Sequence, residues 1–276
     1  IKGIENFNGH IMHSARWQHD LDLKDQRVAV IGSGASAIQL VPKVAQQAKH
    51  LTVFQRSAPY ILPRPDRPYS SLEQQLFAKD PSSMQQLRHE IFWSNEYNFA
   101  QRRNVKNEIQ RVKKNCLNFL AKQIPDPTLR AKLTPQYEPG CKRLLLSNDY
   151  YPTFLQPNVH LEDAALKEIG PNQVVSEQGN TYDVDVIIFA TGFEAARPPY
   201  ANKVVGKHGL SLAEQWQTGM QGYQSTTVHN FPNLFILNGP NTATGHNSAL
   251  YFLEVQFDLV LDALQYFEQE NIEVFE

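Results

Sequence analysis

The residues best equipped for chemistry lie in the stretch "VAVIGSGASAIQ". A turn of the form Gly32-x-Gly34-x-x-Ala37 closes the apolar, β-branched run "QRVAVIG" (26–32) and opens "SAIQLVPKVAQQA" (36–48), whose apolar residues recur at helical spacing. Each small residue then has a task. Gly32 permits the tight turn, Gly34 lets the backbone approach a pyrophosphate, and Ala37 lets helix and strand pack closely. The helix start offers unsatisfied N–H groups and a positive dipole end to phosphate. Gly32, Ser33, Gly34, Ala35, Ser36 and Ala37 therefore read as a dinucleotide cradle, with a purely structural glycine turn as the plain alternative.

The kind of dinucleotide follows from the next strand, "HLTVFQR" (50–56). Sites for NAD or FAD usually place Asp or Glu about 20 residues after the turn, on the ribose hydroxyls. Here the chain has Arg56 followed by Ser57. A guanidinium matches a 2′-phosphate by charge and by its fork of donors. The position points to NADPH; otherwise Arg56 is a solvated surface charge.

Strand, glycine turn, helix and strand make one βαβ unit. Pro42 inside the helix allows a kink or break. Residues 1–20 read as irregular. "APYILPRPDRPYS" (58–70) is too rich in proline for a long element, and 71 to about 122 has a helical pattern. "PDPTLRAKLTPQYEPGCKR" returns to loop. "LLLSNDYYPTFLQPNVHLE" reads as a short helix and then a strand, "TYDVDVIIFATGF" (181–193) as one buried strand, and "NLFILNG" (233–239) as a strand entering a glycine turn. "SALYFLEVQFDLVLDALQYFEQE" (248–270) reads as a long helix.

Composition sets the bounds. The chain has 276 residues, 41% of them hydrophobic, with a net charge of −2. That supports a sizeable core and gives no basic surplus for nucleic acid or an anionic membrane. No apolar run is long enough to span a bilayer. The two cysteines, Cys116 and Cys141, form no CxxC. A disulfide framework, a zinc site and a CxxC redox pair are therefore unsupported, and a reduced, cytoplasmic protein is expected. His10, His19 and His246 have no metal-ligand partners at useful spacing, so no metal is assigned.

Phe7-x-Gly9-x-x-x-His13-x-x-x-Trp17, just ahead of this βαβ unit with Arg56 at its end, resembles the fingerprint of Baeyer–Villiger monooxygenases, class B flavoproteins related to the flavin-containing monooxygenases. Trp17 favours the Baeyer–Villiger side. Gln18, where Pro or Asp is usual, departs from that subclass. "DVDVIIFATGF" is similar to the segment linking the NADPH and FAD domains, which assigns Thr191 and Gly192 to cofactor contacts. "FPNLFILNGPNTATGHNSALYFLEVQ" resembles a late FAD-domain segment and brings in Gly239 and Asn241.

In "PGCKRLLL" the resemblance puts Lys142 near the 2′-phosphate and Arg143 over the flavin as the catalytic cation. Such a cation would stabilise the anionic oxygen nucleophile that adds to a ketone. Taken alone, the pair would be an exposed basic dipeptide. His13 fits a conformational role in the linker better than proton transfer, with hydrogen-bonded packing as the other reading.

The resemblance implies an α/β protein with a Rossmann-like NADPH-binding domain, a helical insert, and the C-terminal part of an FAD-binding domain. The expected boundaries are a fingerprint-bearing linker at 1–20, NADPH domain at 21–69 and 139–193, insert at 70–138 and FAD-domain portion at 194–276. Family members carry a separate FAD turn that this sequence lacks. The chain is thus expected to be a fragment, inactive alone and holding FAD weakly or not at all. The parent enzyme would use NADPH, FAD and O2 to convert a small ketone to an ester or lactone. Oxygenation of a soft N or S nucleophile is one alternative, and a non-catalytic NADPH-binding fragment another. A pyridine nucleotide–disulfide reductase fails for want of a CxxC.

Overall fold

The run Arg27–Ile31 is buried from Val28 onward, as a strand covered on both faces must be. In the computed structural model, which describes residues 1–275, the elements follow in this order. They are β1 (His10–His13), β2 (Arg27–Ile31), α1 (Ala35–Ala45), β3 (His50–Phe54), β4 (Ile61–Leu62), α2 (Ser71–Lys79), α3 (Pro81–Tyr97) and α4 (Phe99–Arg102). Then come α5 (Lys106–Gln123), α6 (Pro127–Lys132), β5 (Leu145–Leu146), α7 (Tyr150–Thr153), β6 (Val159–Glu162), β7 (Leu166–Ile169), β8 (Gln173–Ser176), β9 (Thr181–Asp183) and β10 (Val186–Phe189). The last two are α8 (Leu212–Gln215) and α9 (Ala249–Glu270). The chain divides into two compact units, Ile1–Pro68 with Arg103–Gly192, and Tyr69–Arg102 with Phe193–Glu276.

The first unit is built on a five-stranded parallel sheet of order β1-β10-β2-β3-β6. Side chains alternate between its faces. Val28, Val30, Leu51, Val53, Val186 and Ile188 pack with α1, α5 and α7 through residues such as Val41, Leu120 and Tyr151. Ala29, Ile31, Phe54, Ile187 and Phe189 pack on the other face against Ile169 and Val174. These come from β7 and β8, which with β9 form a three-stranded antiparallel sheet. Helix α5 presents Val112, Cys116 and Leu120 inward, one side chain per helical turn. Pro42 sits inside α1 without ending it.

Several sequence expectations are corrected. Residues 1–20 are not wholly irregular, because His10–His13 is an edge strand pairing in parallel with Val186–Phe189. "TYDVDVIIFATGF" is two strands, broken at Val184 and Asp185, where Asp185 accepts from both the backbone N–H and the guanidinium of Arg27. The segment after "PDP" contains α6, started by Asp126 and Pro127. No strand forms over 233–239, where Asn233 and Asn238 both take left-handed backbone angles that extended pairing cannot use.

The second unit centres on Ala201, Leu212, Trp216, Val228 and Phe231. In α9 the buried side chain is Gln256. Its amide donates to Ser225 O and Thr226 Oγ1 and accepts from Asn238 N–H, so it fastens the preceding loops to the helix. Arg88 of α3 forms a two-pronged ion pair with Glu254 of α9.

Candidate functional site

One row of residues crosses the carboxyl ends of the parallel strands: His13, Phe189, Ile31, Phe54 and Glu162 lie side by side. The chain leaves this row at Ser14, Ala190-Thr191-Gly192, Gly32 and Gln55-Arg56. Ligands of open α/β sheets bind at that edge. Most sequence-derived candidates of this unit thus gather there for a topological reason, although their positions in the sequence are far apart.

Gly32 has φ +126°, and a Cβ there would run into the Ala190 carbonyl. The backbone just past the end of β10 by itself already demands a glycine at this position. Gly34 is different. Its φ of −81° suits any residue, and a Cβ would meet nothing within 4 Å. Gly34 is the N-cap of α1, and no side chain caps the helix. Open space therefore faces uncapped N–H groups at Ala35 and Ser36, an arrangement that fits a pyrophosphate. Ala37 is fully buried under the sheet, as close packing requires.

Ser33 Oγ donates to the Ser57 carbonyl at 2.9 Å, and Lys142 Nζ donates to Ser57 Oγ at 2.6 Å. The glycine turn, the end of β3 and the segment before β5 thus meet at Ser57. Arg56 is exposed beside it and makes no ion pair among the described residues. Arg143 is exposed next to Lys142. Thr191 and Gly192 are exposed after β10, Gly192 with φ +98° and nothing within 4 Å of a Cβ.

The fingerprint residues bracket the edge strand. Phe7 packs into the cluster under β10, and a Cβ on Gly9 would overlap the Asp185 carbonyl and the Phe7 ring. His13 ends β1, and its Nδ1 accepts from Ala15 N–H at 3.2 Å. Trp17 packs against the core on the helical face. Gly9 immediately precedes β1 and His13 ends it, so the spacing between them spans the strand.

Gly239 and Asn241 lie in the second unit, on the loop before α9. A Cβ on Gly239 would overlap the Ser225 carbonyl. Asn241 is exposed with φ +68°.

The sequence reading missed two residues in the first unit. Tyr137 has its ring 4.8 Å from Lys142 Nζ; the signal available was an aromatic residue just ahead of "PGCKR". Asp185 grips Arg27 at 2.7 and 3.0 Å. The pair holds the Asp185 carboxyl below the usual carboxylate range, mainly through the guanidinium hydrogen bond. Among the described residues no group of three or more His, Cys, Asp or Glu could hold a metal ion. Among the described residues no helix is long and apolar enough to cross a membrane.

Comparison with known proteins supplies the family. The model of the flavin-binding monooxygenase-like family matches residues 1–212. A Baeyer-Villiger monooxygenase of Pseudomonas aeruginosa is 41% identical over 99% of this chain and 52% of its own length. One of Streptomyces coelicolor is 40% identical over 96% of this chain and 51% of its own length. The chain spans about half the length of these curated relatives. Among solved structures, OTEMO in complex with FAD and NADP superposes with a TM-score of 0.83 at 26% identity, covering 98% of this chain and 58% of that one. An oxidized steroid monooxygenase bound to NADP gives 0.81 at 28% identity, covering 97% and 58%. These neighbours share the mixed α/β architecture built on a parallel sheet. With 212 of 276 residues matched, the chain belongs to the flavin-binding monooxygenase-like family.

Proposed function

We propose that this chain is part of an NADPH- and FAD-dependent monooxygenase that inserts one oxygen atom of O2 next to a ketone carbonyl, giving an ester or lactone. The observation that carries this is the meeting of the open Gly34 turn, Ser33, Ser57 and Lys142 at the carboxyl edge of the sheet, with Arg56 beside it. The names of the relatives at 40–41% identity give the chemistry.

In this reading the N–H groups of Ala35 and Ser36 bind the pyrophosphate. Arg56 and Lys142 share the 2′-phosphate, with the Ser57 hydroxyl between turn and lysine. Thr191 and Gly192 leave room above β10 for the nicotinamide half. Gly239 and Asn241 shape the loop that contacts part of FAD. Bound FAD, reduced by NADPH, supplies the activation of O2. Arg143 holds negative charge on the attacking oxygen and on the carbonyl oxygen as addition proceeds. Phe7, Gly9, His13 and Trp17 fix the edge strand, so His13 acts through conformation. Its Nδ1 already accepts a backbone N–H, which in the neutral ring leaves the proton on Nε2.

The test is turnover. The full-length enzyme of which this chain is part is incubated with NADPH, FAD and a panel of cyclic and linear ketones, amines and sulfides under isotopically heavy dioxygen. The reading expects esters or lactones carrying one heavy oxygen. Label found only in amine N-oxides or sulfoxides would instead favour oxygenation of soft nucleophiles.

A further inference from the structure

We propose that Tyr137 is a positioning residue for recognition of the 2′-phosphate: its ring seats the Lys142 ammonium against Ser57, beside the glycine turn. The inference rests on the NADPH reading above and deepens it.

Lys142 is exposed. A free lysine side chain samples many rotamers, and ordering it costs conformational entropy. Two contacts of different kinds hold this one. Nζ donates to Ser57 Oγ at 2.6 Å and lies 4.8 Å from the centroid of the Tyr137 ring. The ring is itself fixed. Tyr60 OH donates to the Tyr137 carbonyl at 2.7 Å, and the two rings meet edge to face at 5.4 Å. Tyr60 is only 1% exposed, so the platform is anchored in the interior.

The choice of an aromatic partner has a chemical reason. A carboxylate would hold the ammonium more strongly but would cancel the charge that a phosphate needs. A ring face attracts the cation through its quadrupole and leaves the charge in place. The acid nearest Lys142 in the sequence, Glu138, is engaged instead by Lys113 at 2.7 Å. Ser57 Oγ, accepting from Lys142, retains its own hydrogen to donate to a phosphate oxygen.

The test compares binding of 2′,5′-ADP and 5′-AMP, which differ in the 2′-phosphate, by calorimetry on the purified protein. Tyr137→Leu is expected to lower the preference for 2′,5′-ADP about 3- to 10-fold while leaving 5′-AMP affinity unchanged. Tyr137→Phe keeps the ring face and should keep the preference. A ring-fluorinated phenylalanine at 137 keeps the shape but drains the π charge, so it should fall toward the Leu value; it decides the matter if the Leu variant does not fold. In a Lys142→Ala background, Tyr137→Leu should cause no further loss. An unaltered preference in Tyr137→Leu, a fluorinated variant equal to Phe, or an additive loss in the Lys142→Ala background would each overturn the positioning role. A wild-type protein that does not prefer 2′,5′-ADP would overturn the NADPH reading and this role together.

Discussion

Arg56 and Lys142 reach the carboxyl edge of the sheet by different routes. Arg56 follows directly from the strand row, while Lys142 comes from a segment 86 positions later in the sequence and is tied in through Ser57. A compact ammonium and a planar fork are not equivalent partners for a phosphate. Losing one charge-assisted contact costs about 10- to 100-fold in affinity. Arg56→Ala should therefore weaken NADPH binding by that factor while NADH binding changes little, as read by titration of nucleotide fluorescence. An unchanged preference would show that Arg56 is only a surface charge. The type of Arg56 was legible in the sequence because its place is set by the length of one βαβ unit. Tyr137 was not, because a ring–cation contact depends on how two loop residues fold together.

The elements divide in the same way. The strand-turn-helix-strand unit over 26–56 was legible because its signals are local: a β-branched run, small residues at fixed offsets, then helical periodicity. Strand β1 was not, because it is short and at the edge, and its partner is Val186–Phe189, far along the chain. "NLFILNG" has the apolar run of a strand, yet left-handed asparagines at 233 and 238 prevent one. The two turn glycines make the sharpest comparison at this scale. Gly32→Ala forces a side chain into φ +126° and onto the Ala190 carbonyl. The conformation alone costs roughly 1–3 kcal/mol. Gly34→Ala meets open space at an ordinary φ and should leave stability within about 0.5 kcal/mol. Its methyl would stand where the pyrophosphate approaches, so NADPH affinity should drop about tenfold or more. Urea unfolding and nucleotide titration on both variants check the pair; the reverse pattern would contradict the assignment of Gly34 to the ligand.

At the scale of the whole molecule, the first unit is closed at the amino ends of its strands by Arg27 with Asp185 and Asp183. The Asp185 carboxyl has its pKa lowered in the fold, so its contribution to stability is present above the usual carboxylate value of about 3.9 and is lost as pH falls through the lower folded value. Both side chains are 35% exposed, so screening limits the effect. Asp185→Asn should cost about 0.5–1 kcal/mol near neutral pH, and the gap from wild type should close below about pH 4. A gap that persists undiminished in acid would mean the pair matters only for its shape.

The central claim is that Arg143 is the cation on which ketone oxidation depends. It is tested most directly by following the two half-reactions of Arg143→Ala separately, by stopped-flow absorbance on the full-length, FAD-loaded enzyme. Flavin reduction needs only a seated nicotinamide, and Arg56 and Lys142 would still hold the nucleotide. It should stay measurable. Conversion of ketone to ester should fall by about 10²–10³ or more, the usual cost of losing one such electrostatic contact. Arg143→Lys should rescue little, since an ammonium does not reproduce the fork. Ester formation by Arg143→Ala at near the parental rate would contradict the account.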